Sequence, residues 1–269
     1  MILLYLLVPA AYLVAALPEW RRLAAPAAPQ PPGFGALSRW MPAIALIGHA
    51  ALITSTVFTR AGLDVSLVNA TSAVAGLAAL VAWSVGLGGA LPGVSAVTLP
   101  VAAVAAPLPG LLPNPHPSSF ADEPLAALHI AVALIAYALF IVAALQALVL
   151  LGLERRLHRG LPDPRAGALP LLTLERFLFR LLDVGFALLT ITMASGAIFS
   201  EEVFGKPFRF THKVVFSVLA WLVFAVLLIG RHRYGWRGRS ALVWVLAGTV
   251  LLVLAYLGSK FVLEVILGR

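Results

Sequence analysis

The chain has 269 residues, of which 61% are hydrophobic and 11% are charged, and it contains no cysteine. So much apolar surface exceeds what a soluble core could bury, so the composition indicates an integral membrane protein. The net charge of +8 comes from arginines grouped in short loops between apolar runs, a pattern typical of membrane orientation signals rather than of nucleic-acid binding. Without cysteine there is no disulfide, no thiolate metal site and no covalent attachment of haem.

Eight apolar runs approach the ~20 residues that a helix needs to cross a bilayer. They cover residues 1–18, 40–58, 67–87, 91–112, 126–152, 178–200, 211–230 and 241–264. The fourth is the weakest, because prolines interrupt it at Pro92, Pro100, Pro107 and Pro109. We predict an all-α polytopic membrane protein with eight transmembrane helices. It forms a single membrane domain, residues 1–269, with its core at about 40–265.

The positive residues decide whether the fourth run crosses. Thirteen arginines lie in three loops, and the other six lysines and arginines lie elsewhere. The three loops face the same side only if an even number of spans separates each pair, which requires the proline-rich run to cross. Because positive loops face inward, we expect both the N-terminus and the C-terminus outside.

Four histidines fall within or at the ends of these spans. His49 lies about 13 Å into the second span, near mid-membrane. His129 and His212 lie at outer ends, and His232 lies at the inner end of the seventh span. Imidazole is a strong ligand for metals and haem iron, so this layering suits a protein that holds or moves haem. The alternative is that these histidines make interhelical or interfacial hydrogen bonds.

The outer loop before the seventh span interleaves aromatic and positive side chains next to His212. They are Phe204, Lys206, Phe208, Arg209, Phe210 and Lys213. Such a loop could give a porphyrin an apolar platform, cations for its propionates and an imidazole for its iron. The alternative is an interfacial belt of aromatic and positive residues, which composition alone favours.

Several short motifs along the chain occur together in one known family. They are His49-Ala50, Leu63 to Ala70, His129 with Tyr137-Ala138, Leu188-Leu189-Thr190 with Ser195-Gly196, Trp221-Leu222-Val223-Phe224, Gly235-Trp236-Arg237-Gly238-Arg239 and Ala255-Tyr256-Leu257-Gly258-Ser259. By these residues the chain resembles the cytochrome c assembly protein family (CcsA-like and HemX-like), most of all its smaller eight-span YpjD-like branch. The resemblance implies a multi-pass protein of the bacterial inner (plasma) membrane.

The resemblance also implies a set of haem ligands. His49 matches the first of two intramembrane haem histidines, and His129 matches the first of two outer ones. The second members of these pairs would fall at Ile229 and near Leu267, where this chain has no histidine. We expect His232, three residues after Ile229, and His212 to take their places.

The family's outer tryptophan-rich motif is altered in this chain. Phe204, Phe208 and Phe210 occupy aromatic positions and Lys213 occupies the lysine position, while Thr211 and His212 replace Asp-Pro. The flat surfaces remain but the indole donors are lost. The resemblance therefore supports haem binding more strongly than delivery of haem to an apocytochrome, and an enzymatic role is not expected.

We predict noncovalent binding of haem b and a role in haem handling or cytochrome c-type biogenesis. His49 and His129 would ligate iron, and the remaining cofactor-binding residues would be His212, His232, Phe204, Phe208, Phe210 and Lys213. The expected partners are the lipid bilayer and proteins of cytochrome maturation or haem synthesis, but no nucleic acid. Two alternatives stay open: a membrane accessory or scaffold subunit of a transporter without haem, and a HemX-like regulator of tetrapyrrole synthesis.

Overall fold

The computed structural model describes residues 2–25, 33–59, 62–87, 93–112, 117–118, 124–160, 171–198 and 212–266. The helices are α1 (Ile2–Ala24), α2 (Phe34–Val57), α3 (Leu67–Gly86), α4 (Ser95–Ala105), α5 (Leu108–Leu111), α6 (Pro124–His158), α7 (Leu171–Ile198), α8 (His212–Tyr234) and α9 (Arg239–Val253). π-Helical segments follow α9 at Leu254–Gly258 and Phe261–Ile266. Within the described ranges, seven helices are long and apolar enough to cross a membrane, and Ser95–Leu111 is a shorter apolar helix. The predicted all-α polytopic fold is confirmed.

The proline-rich fourth segment runs alongside α1 in two helical pieces. At one end the indole Nε1 of Trp20 donates to the carbonyl oxygen of Ala96, 2.9 Å away. At the other end the ring of Tyr5 lies so close to Gly110 that a Cβ on this glycine would overlap it. Along α1, Tyr5 and Trp20 are roughly 22 Å apart at ~1.5 Å per residue. The segment therefore spans most of the height of the bundle, as the charge pattern requires.

Eight of the described helices form two groups of four that meet where α3 packs on α6, and the short α5 packs on α3 and α4. In the first group α1 and α3 both pack on α2 and α4. In the second group α6 packs on α7 and α9, and α8 packs on the same two helices. Alanines make up much of the first core, which allows its helices to approach closely. This core consists of Val8, Tyr12, Ala15, Ala16, Ala45, Leu52, Ala79, Leu99, Ala102, Ala103 and Ala106.

Two stacked phenylalanines lie in the core of the second group. The rings of Phe140 in α6 and Phe224 in α8 have centroids 4.1 Å apart and planes 20° apart. A glycine lies against each ring: Gly185 of α7 against Phe140, and Gly248 of α9 against Phe224. A Cβ added at Gly248 would be 2.7 Å from the ring of Phe224, which is too close for van der Waals contact. All four helices of this group therefore meet at the stacked pair.

A small antiparallel sheet, which was not predicted, lies where α2 ends and α3 begins. Its strands are β1 (Phe58–Thr59), β2 (Gly62–Asp64) and β3 (Pro117–Ser118), in that order. The register pairs Phe58 with Leu63, and Leu63 with Ser118. Asp64 then directs the chain into α3, because its Oδ1 accepts from the Ser66 amide at 3.0 Å.

We call the end of the bundle that carries this sheet the sheet end, and the opposite end the arginine end. Helices α3, α6 and α8 begin at the sheet end, whereas α6 and α8 end among arginines. The start of α1 and the last helical segment both lie at the sheet end, as an even number of crossings requires. That this end faces the outside of the cell stays a prediction.

Candidate functional site

His129 is half-buried at the sheet end of α6. Its Nδ1 lies 2.8 Å from the Oγ of Ser195 in α7. The Oγ of Ser195 also lies 3.1 Å from the carbonyl oxygen of Thr192, to which its hydroxyl can donate. With the hydroxyl in that direction, Oγ accepts the Nδ1–H of His129, and the lone pair of the ring is on Nε2, an atom through which an imidazole ligates a metal or haem iron. The Cβ of any residue replacing Gly196 would lie 3.3 Å from the Cε1 of His129, so a glycine lets the ring sit close to α7.

A lysine lies near this histidine, and a tyrosine and a second lysine lie near that lysine. Lys213 in the first turn of α8 lies close enough to His129 for its ammonium to interact electrostatically with the imidazole. The Nζ atoms of Lys213 and Lys260 lie 5.0 Å and 5.8 Å from the centre of the Tyr256 ring. We call the set formed by these side chains the His129 cluster: His129, Ser195, Lys213, Tyr256 and Lys260.

The residues present in the His129 cluster fit a haem group held by one imidazole of this chain. The hydrogen bond at Nδ1 orients the ring, and Nε2 would then be the ligating atom, as in most protein sites where histidine binds a metal. The two lysines supply the positive charge that carboxylates require. The cluster thus combines a neutral nitrogen ligand with a cationic surface.

The predicted partner of His129 is His212. His212 is the exposed first residue of α8, directly before Lys213. The phenylalanines of the predicted platform, Phe204, Phe208 and Phe210, lie outside the described residues. The pairing of His212 with His129 and the aromatic platform therefore stay predictions.

His49 is buried in the middle of the first group, with 1% of its surface exposed. Its Nδ1 lies 3.0 Å from the hydroxyl oxygen of Tyr12, and its Nε2 lies 2.9 Å from the Oγ of Ser72. A neutral imidazole has one N–H donor and one lone pair, so the two bonds occupy both nitrogens. Gly76 closes one side of the ring, since a Cβ there would lie 3.0 Å from Cε1. Both ring nitrogens of His49 are thus hydrogen-bonded in this structure, and ligation of iron by His49 stays a prediction.

His232, the predicted inner partner of His49, lies in the second group of helices. Its Nδ1–H donates to the carbonyl oxygen of Leu228 at 2.8 Å, and its Nε2 lies 3.9 Å from the Oδ1 of Asp183 in α7. Together with Ile229 it lines an open cleft of about 720 Å³ between α7 and α8. The hydrogen bonds of His49 are with α1 and α3, whereas Asp183 belongs to α7. The geometry thus gives no support for a shared iron between these two histidines.

The Gly-Trp-Arg-Gly-Arg motif forms the turn between α8 and α9 at the arginine end. Gly235 and Gly238 have φ values of +67° and +68°, which favour glycine. The indole of Trp236 packs so closely on Gly230 that no Cβ could be placed there. Arg231 donates to the carbonyl oxygen of Trp236 at 3.0 Å and pairs with a carboxylate of α7 at 2.9 Å. The motif therefore shapes this turn.

Sequence reasoning missed three members of the His129 cluster. Ser195 and Tyr256 both belong to motifs that carry the family resemblance, but their contacts with His129 and the lysines could not be predicted from spacing. The available signal for Lys260 was its spacing of four residues from Tyr256, which places both side chains on one face of a helix.

A polytopic helical membrane protein with the His129 cluster at its sheet end is the class that these observations define. The sequence profile described as Cytochrome C assembly protein matches residues 37–267. This match covers most of the chain, and the chain belongs to the cytochrome c assembly protein family. The predicted resemblance is therefore confirmed at the level of the family.

Three relatives illustrate the similarity. The chain is 35% identical over 155 residues to the Inner membrane protein YpjD of Escherichia coli (strain K12), and the match covers 58% of each chain. It is 40% identical over 142 residues to the Uncharacterized 28.8 kDa protein in nifR3-like 5'region of Azospirillum brasilense, over 52% of each chain. It is 35% identical over 86 residues to the Cytochrome c biogenesis protein CcsA of Gloeothece citriformis, over 32% of this chain and 26% of that protein. The matched part thus spans less than two thirds of each relative. No solved structure matches the chain.

Proposed function

We propose that this protein binds haem noncovalently at its sheet end through the Nε2 atom of His129, and that it takes part in haem handling during cytochrome c biogenesis. The hydrogen bond between His129 and Ser195 carries this proposal, because a partner at Nδ1 orients the ring and suits ligation of iron through Nε2. Family membership and the similarity to a protein named for cytochrome c biogenesis support the process. The name of the YpjD relative supports the bacterial inner membrane as the location.

Each residue of the cluster has a separate task in this proposal. The imidazole of His129 holds iron, Ser195 orients the imidazole, and Lys213 attracts a carboxylate. Haem b supplies the iron porphyrin that a maturing cytochrome receives. Noncovalent binding suits such handling because the chain contains no cysteine that could retain the group by a thioether. The proposed partners are proteins of cytochrome maturation or haem synthesis.

The second ligand of the iron is a separate part of the proposal. His212 is the candidate from this chain, because it begins the same helix turn that carries Lys213. A second haem site at His49 has less support, since iron would have to replace the hydrogen bond to Tyr12 or to Ser72. At the arginine end, His232 beside its cleft is a further candidate ligand for haem iron.

Absorption spectra of protein purified from haem-replete cells test the proposal. We expect a haem absorption band in the wild-type protein that His129→Ala removes or strongly weakens. His158→Ala is the matched control, because His158 is an exposed histidine at the other end of the same helix and bonds only locally to the Glu154 carbonyl. Its haem content is expected to equal that of the wild type. Wild-type protein without haem would contradict the proposal and favour the alternative of a membrane scaffold that does not bind haem.

A further inference from the structure

A π-helical turn, Leu254–Gly258, places Tyr256 in the His129 cluster. Such turns insert an extra residue into a helix and occur frequently at functional sites. The Tyr256 ring contacts the ring of Tyr137 edge-on, with centroids 5.7 Å apart and planes 62° apart. The hydroxyl of Tyr137 donates to a backbone carbonyl of α9, that of Leu252, at 2.7 Å. Tyr256 is thus held against α6 just where the helix departs from α-helical geometry.

The two lysines approach this one ring from different elements. Lys213 comes from α8 and Lys260 follows the π-helical turn, with Nζ atoms 5.0 Å and 5.8 Å from the ring centre. An aromatic face attracts an ammonium group electrostatically. Two ammonium groups beside one ring concentrate positive charge, to which a carboxylate can bind by charge-assisted hydrogen bonds.

We propose that Lys213 and Lys260, arranged around Tyr256, form a carboxylate-binding site that takes the acidic side chains of a dicarboxylate porphyrin. This inference rests on the proposed function, in which His129 holds the metal of the same ligand. It assigns a binding role to Lys260 and a positioning role to Tyr256. The site recognises carboxylates rather than iron, so it distinguishes porphyrins with free acids from their esters whether or not metal is present.

A comparison of metal-free protoporphyrin IX with its dimethyl ester separates recognition of the carboxylates from recognition of iron. Binding is followed by porphyrin fluorescence, with the full chain in phosphatidylcholine nanodiscs. We expect the free acid to bind about tenfold more tightly than the ester, the size of one charge-assisted contact. Lys260→Gln should reduce this preference severalfold, and Lys260→Arg, which keeps the charge, should retain it. Lys213→Gln provides a second test, and circular dichroism verifies that each variant is folded.

The outcomes distinguish this inference from the proposed function. Equal binding of acid and ester by the wild type would overturn the carboxylate site even if His129 still ligates haem iron. A preference for the acid, together with no effect of His129→Ala on binding of iron protoporphyrin, would support the carboxylate site and contradict iron ligation. Failure of both metal-free porphyrins to bind would overturn the inference.

A lipid phosphate could bind the same two cations. Nanodiscs with and without phosphatidylglycerol separate this source from a porphyrin carboxylate. We expect the preference for the acid to persist in both membranes. Its disappearance in the anionic membrane would assign the lysines to lipid phosphate and overturn the porphyrin site.

Discussion

His129 and His49 are each hydrogen-bonded to a serine, in different surroundings. At His129 the serine lies at Nδ1, and Lys213 is close enough to interact electrostatically with the ring. At His49 the second nitrogen is bonded to Tyr12, and Gly76 brings α3 against the ring. The same residue type therefore serves as a candidate ligand at the sheet end and as a link between helices in the middle of the bundle.

Ser195→Ala should weaken haem binding without removing the ligating imidazole. Loss of the acceptor for Nδ1–H frees the ring orientation and tautomer, and such partners typically change metal affinity by about 10–100-fold. Haem titration of the purified apoprotein, followed by absorption, measures this change. Ser195→Thr keeps the hydroxyl and should stay close to the wild type. An unchanged affinity in Ser195→Ala would show that the hydrogen bond does not prepare the ligand.

His49→Ala should lower the free energy of unfolding rather than the haem content. The substitution removes two hydrogen bonds and leaves the Tyr12 and Ser72 hydroxyls without this partner, at a cost of about 1–3 kcal/mol for each buried group. Thermal unfolding in detergent measures the loss. Thr54→Ala is the control on the same helix, because Thr54 is exposed and its hydroxyl bonds only to the Ala51 carbonyl. Unchanged stability together with a lower haem content would instead make His49 an iron ligand.

The candidate site was predictable in part. The position of His129 at a helix end follows from run length, and Lys213 follows from the family motif. The membership of Ser195, Tyr256 and Lys260 in the His129 cluster was not predictable, because it depends on how α6, α7 and the segment after α9 pack together. The π-helical turn that positions Tyr256 contains an extra residue, and its amino-acid composition is not distinctive.

At the scale of the helices, glycine positions decide how closely the second group packs. Gly248→Ala should lower the free energy of unfolding, because its Cβ would overlap the Phe224 ring in a core with little freedom to relax. Overpacking of this kind costs about 1–3 kcal/mol. Thermal unfolding again provides the measurement.

Gly152→Ala is the matched control for this overpacking. A Cβ at Gly152 in α6 meets nothing within 4 Å. Alanine in a helix is favoured over glycine by about 0.5–1 kcal/mol, so this variant should be as stable as the wild type or more stable. Equal effects of the two substitutions would contradict the close contact between Gly248 and Phe224.

The helices themselves were largely predictable, because apolar runs of membrane length leave few alternatives. The fourth segment shows how two signals can disagree: prolines argued against a helix, and charge counting required a crossing. The structure satisfies both with α4 and α5. The strands of the small sheet were missed, since segments of two or three residues contain too few positions to show a period.

At the scale of the whole molecule, the prediction of eight crossings depends on the fourth segment, and cysteine labelling tests whether that segment crosses the membrane. The chain has no native cysteine, so Leu87→Cys and Leu112→Cys each introduce one reactive thiol at an exposed position on either side of the fourth segment. A membrane-impermeant maleimide should label Leu112→Cys in intact spheroplasts and Leu87→Cys only after lysis. Labelling of both from the same side would mean that the proline-rich segment does not cross.

Ligation of haem iron by His129 is tested most directly by chemical rescue in His129→Gly. The glycine variant leaves space for free imidazole, which can replace the missing ligand without restoring any other contact of the side chain. We predict that the variant loses the haem absorption band of the wild type and that added imidazole restores it. A wild-type spectrum in the variant without imidazole would contradict ligation of the iron by His129.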